Sequence, residues 1–215
     1  MRKYTFSVNS TTLNKTLQCN FAAQLNYFDK MFKHLNIILF LSIIFLVTPF
    51  VGAATYYVSP AGSGTGTFSS PMAFSTAIAK ALTAGDSVIL RGGTYSLSTK
   101  QTISKSGSAT NYLHIVSYAD EIPVLDFRTQ AYNSSNPGIS LSGNYVHIKG
   151  LIIQGAGDNG MIITGNYNFI ENCTFRWNCD SGLQLKTGSN NLIKNCDSYE
   201  NFDYMTGGTS SPDYG

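Results

Sequence analysis

Four carboxylates lie close together late in the chain: Asp180, Asp197, Glu200 and Asp203. Side-chain oxygens gathered on one face would suit a hard cation such as Ca²⁺. Asp is equally at home in turns, where it bonds to its own backbone, so the group by itself assigns no metal ligand. Lys149, Glu171 and Lys194 fall at matching places in a repeat described below. Opposite charges at such places suit a solvent-facing ladder across neighbouring strands better than proton transfer. Cys173 and Cys196 also match and read as small apolar members of an interior stack rather than metal ligands. His34 precedes an apolar run, and His114 and His147 have no evident partner in sequence, so no histidine takes a catalytic role. Of the aromatic residues Tyr145, Tyr167, Phe175, Trp177, Tyr199 and Tyr204, Phe175 reads as core. Trp177 and Tyr199 sit near matching turns and are the candidates for stacking on a sugar ring. No catalytic and no metal-binding residue is assigned.

The elements that must position these groups are repetitive. Segments beginning at Gly138, Gly160 and Gly182 are 22 residues apart. Ile139 and Leu141, Met161 and Ile163, and Leu183 and Leu185 alternate as one inward strand face would. Ile148, Ile170 and Ile193 mark a second strand, and Leu151, Cys173 and Cys196 begin a third. Three short strands per repeat make one coil of a parallel β-helix. Between the second and third strands stand Gly150, Asn172 and Asn195, types that tolerate the left-handed backbone of a tight bend. Their side chains could also bond along the column. The spacing slips by one residue at Thr187-Gly188-Ser189, which places an insertion in a turn.

Composition supports one folded all-β domain. The chain is 43% apolar and only 12% charged, enough for a substantial core. A net charge of +2 with scattered Lys and Arg names no nucleic-acid partner. Lys33 and His34, the apolar run Leu35 to Val47 and the small residues Val51 to Ala54 describe a secretory signal peptide, with an uncleaved anchor as the alternative. Cleavage is expected after Ala53. Residues 1–30 then form a doubtful upstream leader, 31–53 the signal, and 54–215 the cap and early coils of a β-helix. Met31 is a natural start, and loss of Cys19 would leave an odd number of cysteines, against a disulfide framework. One helix is expected, from about Ser70-Pro71 or Ser75 to Gly85, with Phe74, Ile78 and Leu82 on one stripe. It would cover the open end of the first coil. The run Gly207 to Gly215 reads as a loop cut midway, so further coils are expected beyond it.

Several motifs carry a family resemblance. Tyr56-Tyr57-Val58-Ser59-Pro60, Phe68-Ser69-Ser70-Pro71-Met72, Gly85-Asp86-Ser87-Val88-Ile89-Leu90 and Gly93-Thr94-Tyr95 resemble the start of family 9 polysaccharide lyases, the pectate lyase L type. Ile103-Ser104-Lys105-Ser106-Gly107, Asn172-Cys173-Thr174-Phe175 and Asn195 to Asp203 continue it. The resemblance implies a right-handed parallel β-helix that cleaves polygalacturonate by β-elimination, and the signal segment sends it out of the cell, to the periplasm or to the cell surface. It implies Ca²⁺ held by several aspartates to acidify the C5 proton of a uronate, with a Lys as base. The first such aspartate lies in an Asp-Gly-Phe element that Asp213-Tyr214-Gly215 does not match. No metal or catalytic role is therefore carried over, and the chain alone is expected to be inactive. The expected partner is pectate, with no nucleic acid, no membrane after signal cleavage and a monomeric state. Another β-helix polysaccharide lyase or hydrolase, and a non-enzymatic carbohydrate-binding β-helix, remain as alternatives.

Overall fold

A computed structural model describes residues 24–27, 29–34 and 52–203. Contacts divide the chain into two units, Met1–Val51 and Gly52–Gly215. In the first unit, residues 24–27 and 29–34 are helical and exposed, and Lys33 Nζ lies 2.7 Å from Asp29 one turn away. The start of the leader, the apolar run Leu35 to Val47 and the segment Tyr204 to Gly215 lie outside the described residues. Among the described residues no helix is long and apolar enough to cross a membrane.

The second unit opens with β1 (Thr55–Val58) and a short helix (Phe74–Ile78), and thereafter three strands recur per coil. The first coil is β2 (Ser87–Leu90), β3 (Gly93–Ser96) and β4 (Gln101–Ile103), and the second β5 (Leu113–Ser117), β6 (Pro123–Asp126) and β7 (Ile139–Leu141). Then come β8 (Val146–Lys149), β9 (Ile152–Gln154), β10 (Met161–Ile163), β11 (Phe169–Glu171), β12 (Thr174–Arg176) and β13 (Leu183–Leu185). The last coil contributes β14 (Leu192–Lys194) and β15 (Asp197–Tyr199). All pair in parallel with the equivalent strand of the next coil, giving sheets of six, four and five strands. This is a parallel β-helix.

Register follows the repeat. Met161 pairs with Ile139 and Leu183, and Ile170 with Ile148 and Ile193. The first of these steps is 22 residues on either side, whereas Ile170 to Ile193 is 23. The extra residue therefore falls at the bend around Thr187, between β13 and β14. Inward residues form continuous columns such as Val88, Ile115, Ile148 and Ile170, all fully buried. Each such side chain contributes about 1.5–3 kcal/mol relative to an exposed one. Leu151 and Cys173 join the interior at the entry to the third sheet.

In the coils from β8 onward the chain turns at three bends, and each bend is a column of left-handed residues. Gly150, Asn172 and Asn195 have φ of 73°, 52° and 52°. Tyr145, Tyr167 and Asn190 form a second column at 54°, 57° and 57°, and Gly155, Trp177 and Glu200 a third at 69°, 57° and 54°. Only the first column is suggested by residue type, because Tyr, Trp and Glu are uncommon in this region. Contrary to the expectation for Asn172 and Asn195, their side chains make no hydrogen bond among the described residues. Backbone bonds link that column, from Gly150 N–H to the Glu171 carbonyl (3.0 Å) and from Asn172 N–H to the Lys194 carbonyl (3.1 Å).

Asparagine ladders form elsewhere. Asn168 Oδ1 accepts the Val146 N–H at 2.8 Å, and Asn191 Oδ1 accepts the Asn168 N–H at 2.8 Å. Asn178 and Asn201 repeat the device at the third bend, for the N–H groups of Ala156 (3.0 Å) and Asn178 (3.1 Å). Buried amides thereby satisfy backbone donors that bends leave without strand partners.

The helix is shorter than the sequence suggests. Met72 bonds to β1 through its N–H to the Tyr57 carbonyl, which keeps the Ser70-Pro71 segment extended. The helix has no side-chain cap at either end, and after Ala79 the chain tightens into turns. Asp86 Oδ2 then accepts the Thr83 N–H at 2.7 Å, fixing a turn where a last helical turn was expected. Leu82 is buried all the same. Phe74, Ala77 and Ile78 face the core, and the helix packs on β1, β2 and β4, closing the end of the first coil.

Candidate carbohydrate-binding groove

On the third sheet, the last residue of each strand stands in one column: Ser96, Asp126, Gln154, Arg176 and Tyr199. Arg176 Nε donates to Gln154 Oε1 at 2.9 Å, and its Nη1 donates to the Tyr199 hydroxyl at 3.3 Å. The bend column follows one residue later. There the Trp177 indole N–H donates to the Glu200 carboxylate, and the Arg176 guanidinium lies 4.3 Å from the indole centroid. These contacts hold a bulky ring on a left-handed backbone. Trp177 and Tyr199 are 44% and 41% exposed, so both keep a face for a ligand.

The two candidates are not equivalent members of a column, as matching turns had suggested. Tyr199 pairs with Arg176 on the strand, and Trp177 aligns with Glu200; Arg176 bridges the two rings. Phe175 is core, as expected, and Tyr145 and Tyr167 stack on each other at another bend, 5.0 Å between centroids. Beside Trp177 opens a groove of about 420 Å³ lined by Arg128, Gln130, Tyr132, Gly155, Asn178 and Glu200 among others. Gly155 matters here because an added Cβ would overlap the Arg128 side chain. Arg128 forks onto Asp126, with Nε 3.0 Å from both carboxylate oxygens. Burial pushes the Asp126 carboxyl up, but the bonds from Arg128 outweigh it and hold it below the usual range. An aromatic face, amides and a guanidinium make a setting for a polar, ring-shaped ligand.

The acidic residues are dispersed. Glu200 is engaged with Trp177, and Asp197 pairs in register with Thr174 on the third sheet. Asp180 and Asp203 instead act on Asp158, a buried carboxyl that sequence reading passed over. Burial and then the charges of Asp180 and Asp203 raise it, against hydrogen bonds from Asn159. Among the described residues no three acidic, His or Cys side chains converge as metal ligands. Among the described residues, none of these groupings offers the several converging oxygens that Ca²⁺ takes.

The charge ladder forms as expected: Glu171 lies 3.3 Å from Lys149 Nζ and 3.7 Å from Lys194 Nζ. It also reaches His147 Nε2 at 3.3 Å, while His147 Nδ1 faces His114 Nδ1 at 3.3 Å. The histidines are therefore partnered, contrary to the reading of the sequence. Both are carried on strands that pair His114 directly with His147. Cys173 and Cys196 lie in one interior stack, with the Cys173 N–H 3.5 Å from the Cys196 sulfur. A side-chain hydrogen bond with Cys196, and then burial, raise the Cys173 thiol.

Residues 56–212 match the model of the Pel9A-like right-handed β-helix region. The chain belongs to this family. Pectate lyase L of Paenibacillus polymyxa is 42% identical over 131 residues, covering 55% of this chain and 29% of that protein. Pectate lyase L of Dickeya chrysanthemi is 31% identical over 172 residues, covering 74% of this chain and 40% of that protein. The crystal structure of pectate lyase Pel9A superposes with a TM-score of 0.62 at 31% identity, over 71% of this chain and 42% of that one. The chain thus spans less than half the length of these relatives. Family membership makes the helix right-handed.

Proposed function

We propose that residues 54–215 are the capped N-terminal coils of a secreted pectate-lyase-like protein, and that the groove beside Trp177 holds a stretch of polygalacturonate. The observation that carries this reading is the family match over residues 56–212, supported by relatives named pectate lyase L. Residues 31–53 act as the signal, removed after Ala53, and 1–30 precede it. In the whole protein, Ca²⁺ and the base of β-elimination belong to groups other than the described residues. The chain by itself binds without cleaving, as a monomer. The dispersal of Asp180, Asp197, Glu200 and Asp203, set against an exposed Trp and Tyr bridged by Arg176, favours a carbohydrate-binding role as the second reading.

Two measurements on the chain test this. Incubated with polygalacturonate and Ca²⁺, it is expected to give no ultraviolet absorbance from unsaturated uronides; their appearance would show a complete active site here. In gels containing polygalacturonate its migration is expected to be retarded, and Trp177→Ala or Tyr199→Ala to restore mobility. Unchanged retardation in both variants rejects the groove.

A further inference from the structure

Asp86 is an unusual carboxylate for a protein surface turn. Its residue is only 5% exposed, and both oxygens accept hydrogen bonds, one of them from Ala54. Oδ1 accepts the Ala54 N–H at 2.7 Å, and Oδ2 accepts the Thr83 N–H at 2.7 Å and the Thr83 hydroxyl at 3.2 Å. None of the ion pairs among the described residues involves Asp86. A buried carboxylate satisfied only by neutral donors leaves its charge uncompensated, and a cation in place of one donor would relieve that.

We infer that Asp86 is the seat of the mature N-terminus: hydrolysis of the Ala53–Ala54 bond sets the α-ammonium of Ala54 on the Asp86 carboxylate. The inference rests on the secretory reading above. In the cut, water delivers its hydroxyl to the Ala53 carbonyl carbon and a proton to the Ala54 nitrogen, which takes a further proton from solvent. A signal peptidase supplies the catalysis. The nitrogen stays where the amide stood, so one N–H···O bond becomes a charge-assisted pair without moving the backbone.

The geometry also chooses between neighbouring bonds. Small residues make Ala53–Ala54 and Ala54–Thr55 both cleavable. Cutting after Ala54 would remove the donor on Oδ1 and also the carbonyl that accepts the Ser87 N–H at 2.8 Å. Cutting before Ala53 would leave a neutral amide in place. Gly52 and Ala53 are exposed, so their removal uncovers no core. Only the bond between Ala53 and Ala54 converts the Asp86 site into an ion pair.

The test uses the full chain expressed in a secreting host. The first residue of the exported protein, read by N-terminal sequencing, is expected to be Ala54. An intact, unprocessed chain overturns the secretory reading and this inference together; a first residue of Ala53 or Thr55 leaves secretion standing and overturns the inference alone. In the exported protein, acylation of the α-amine is expected to be about tenfold slower than in Asp86→Asn, the factor given by a one-unit rise in amine pKa. Equal rates overturn it. Should that variant not fold, the pH dependence of labelling in the unaltered protein decides. The remaining hydrogen bonds of the pair come from backbone and the Thr83 hydroxyl, so a raised amine pKa reports on Asp86. An amine titrating above the ordinary value of about 7.7–8.0 supports the pair, and one at or below it does not.

Discussion

At the scale of single residues, the outer face of the six-stranded sheet couples charge to stability. Burial lowers the His114 imidazole, and burial with the charge of His114 lowers His147 against the pull of Glu171. In the unfolded chain both protonate near the ordinary value of about 6.5. The native state binds fewer protons in that window, so stability is held above about pH 6.5 and lost as pH falls through the folded values. Urea midpoints are expected to drop between about pH 7 and pH 5, and His147→Gln to flatten the slope. A wild-type midpoint constant over that range would refute the coupling. Glu171→Gln removes the negative charge beside His147 Nε2, and proton NMR is expected to show the His147 pKa falling further. None of this is legible from His114 and His147 separately, which are 33 positions apart. Their pairing depends on how many residues the intervening coil contains. Trp177 and Tyr199 were legible as surface aromatics, but Arg176, which joins them, has no periodic partner that would single it out.

At the scale of elements, bends carry more of the specification than strands do. An added Cβ at Gly143, Gly165 or Gly188 would overlap the carbonyl of Lys105, Gly143 or Gly165 in the preceding coil. Gly165→Ala is therefore expected to cost about 1–3 kcal/mol, as overpacking against backbone does, measured by urea unfolding. A cost near zero would mean the coils can separate locally. Asn168→Ala is expected to lose more, since the Val146 N–H and the Gly143 carbonyl both lose the Asn168 amide. Each buried group left without a partner costs about 1–3 kcal/mol. Inward columns were readable because alternation of apolar residues has only one physical cause in short strands. The ladders were not, because Asn favours bends through its backbone as well as through its amide, and sequence does not separate the two. Phe74 to Leu82 shows a similar limit: the helical stripe was read correctly as buried, but Met72 pairing and the Asp86 turn shorten the helix itself.

At the scale of the whole molecule, each coil touches only its neighbours, so protection should grade along the stack. The helix end is closed by Phe74, Ala77 and Ile78, and the inward residues of β5 and β8 are fully buried. Amide hydrogen exchange is expected to be slowest in these two strands. Uniform exchange across all coils would mean that the stack opens as one unit. The architecture itself was legible from the repeat, because three equivalent segments at constant spacing leave little else for the chain to form. The single additional residue near Thr187 bears on heredity. It is absorbed at a corner, and Leu192, Ile193 and Lys194 still meet Phe169, Ile170 and Glu171. Errors of length at a corner therefore do not propagate, while the same insertion within β14 would turn Ile193 away from the core. A lineage built this way can lengthen or trim its corners one codon at a time without rewriting the coils downstream, and such differences in length should collect at the corners.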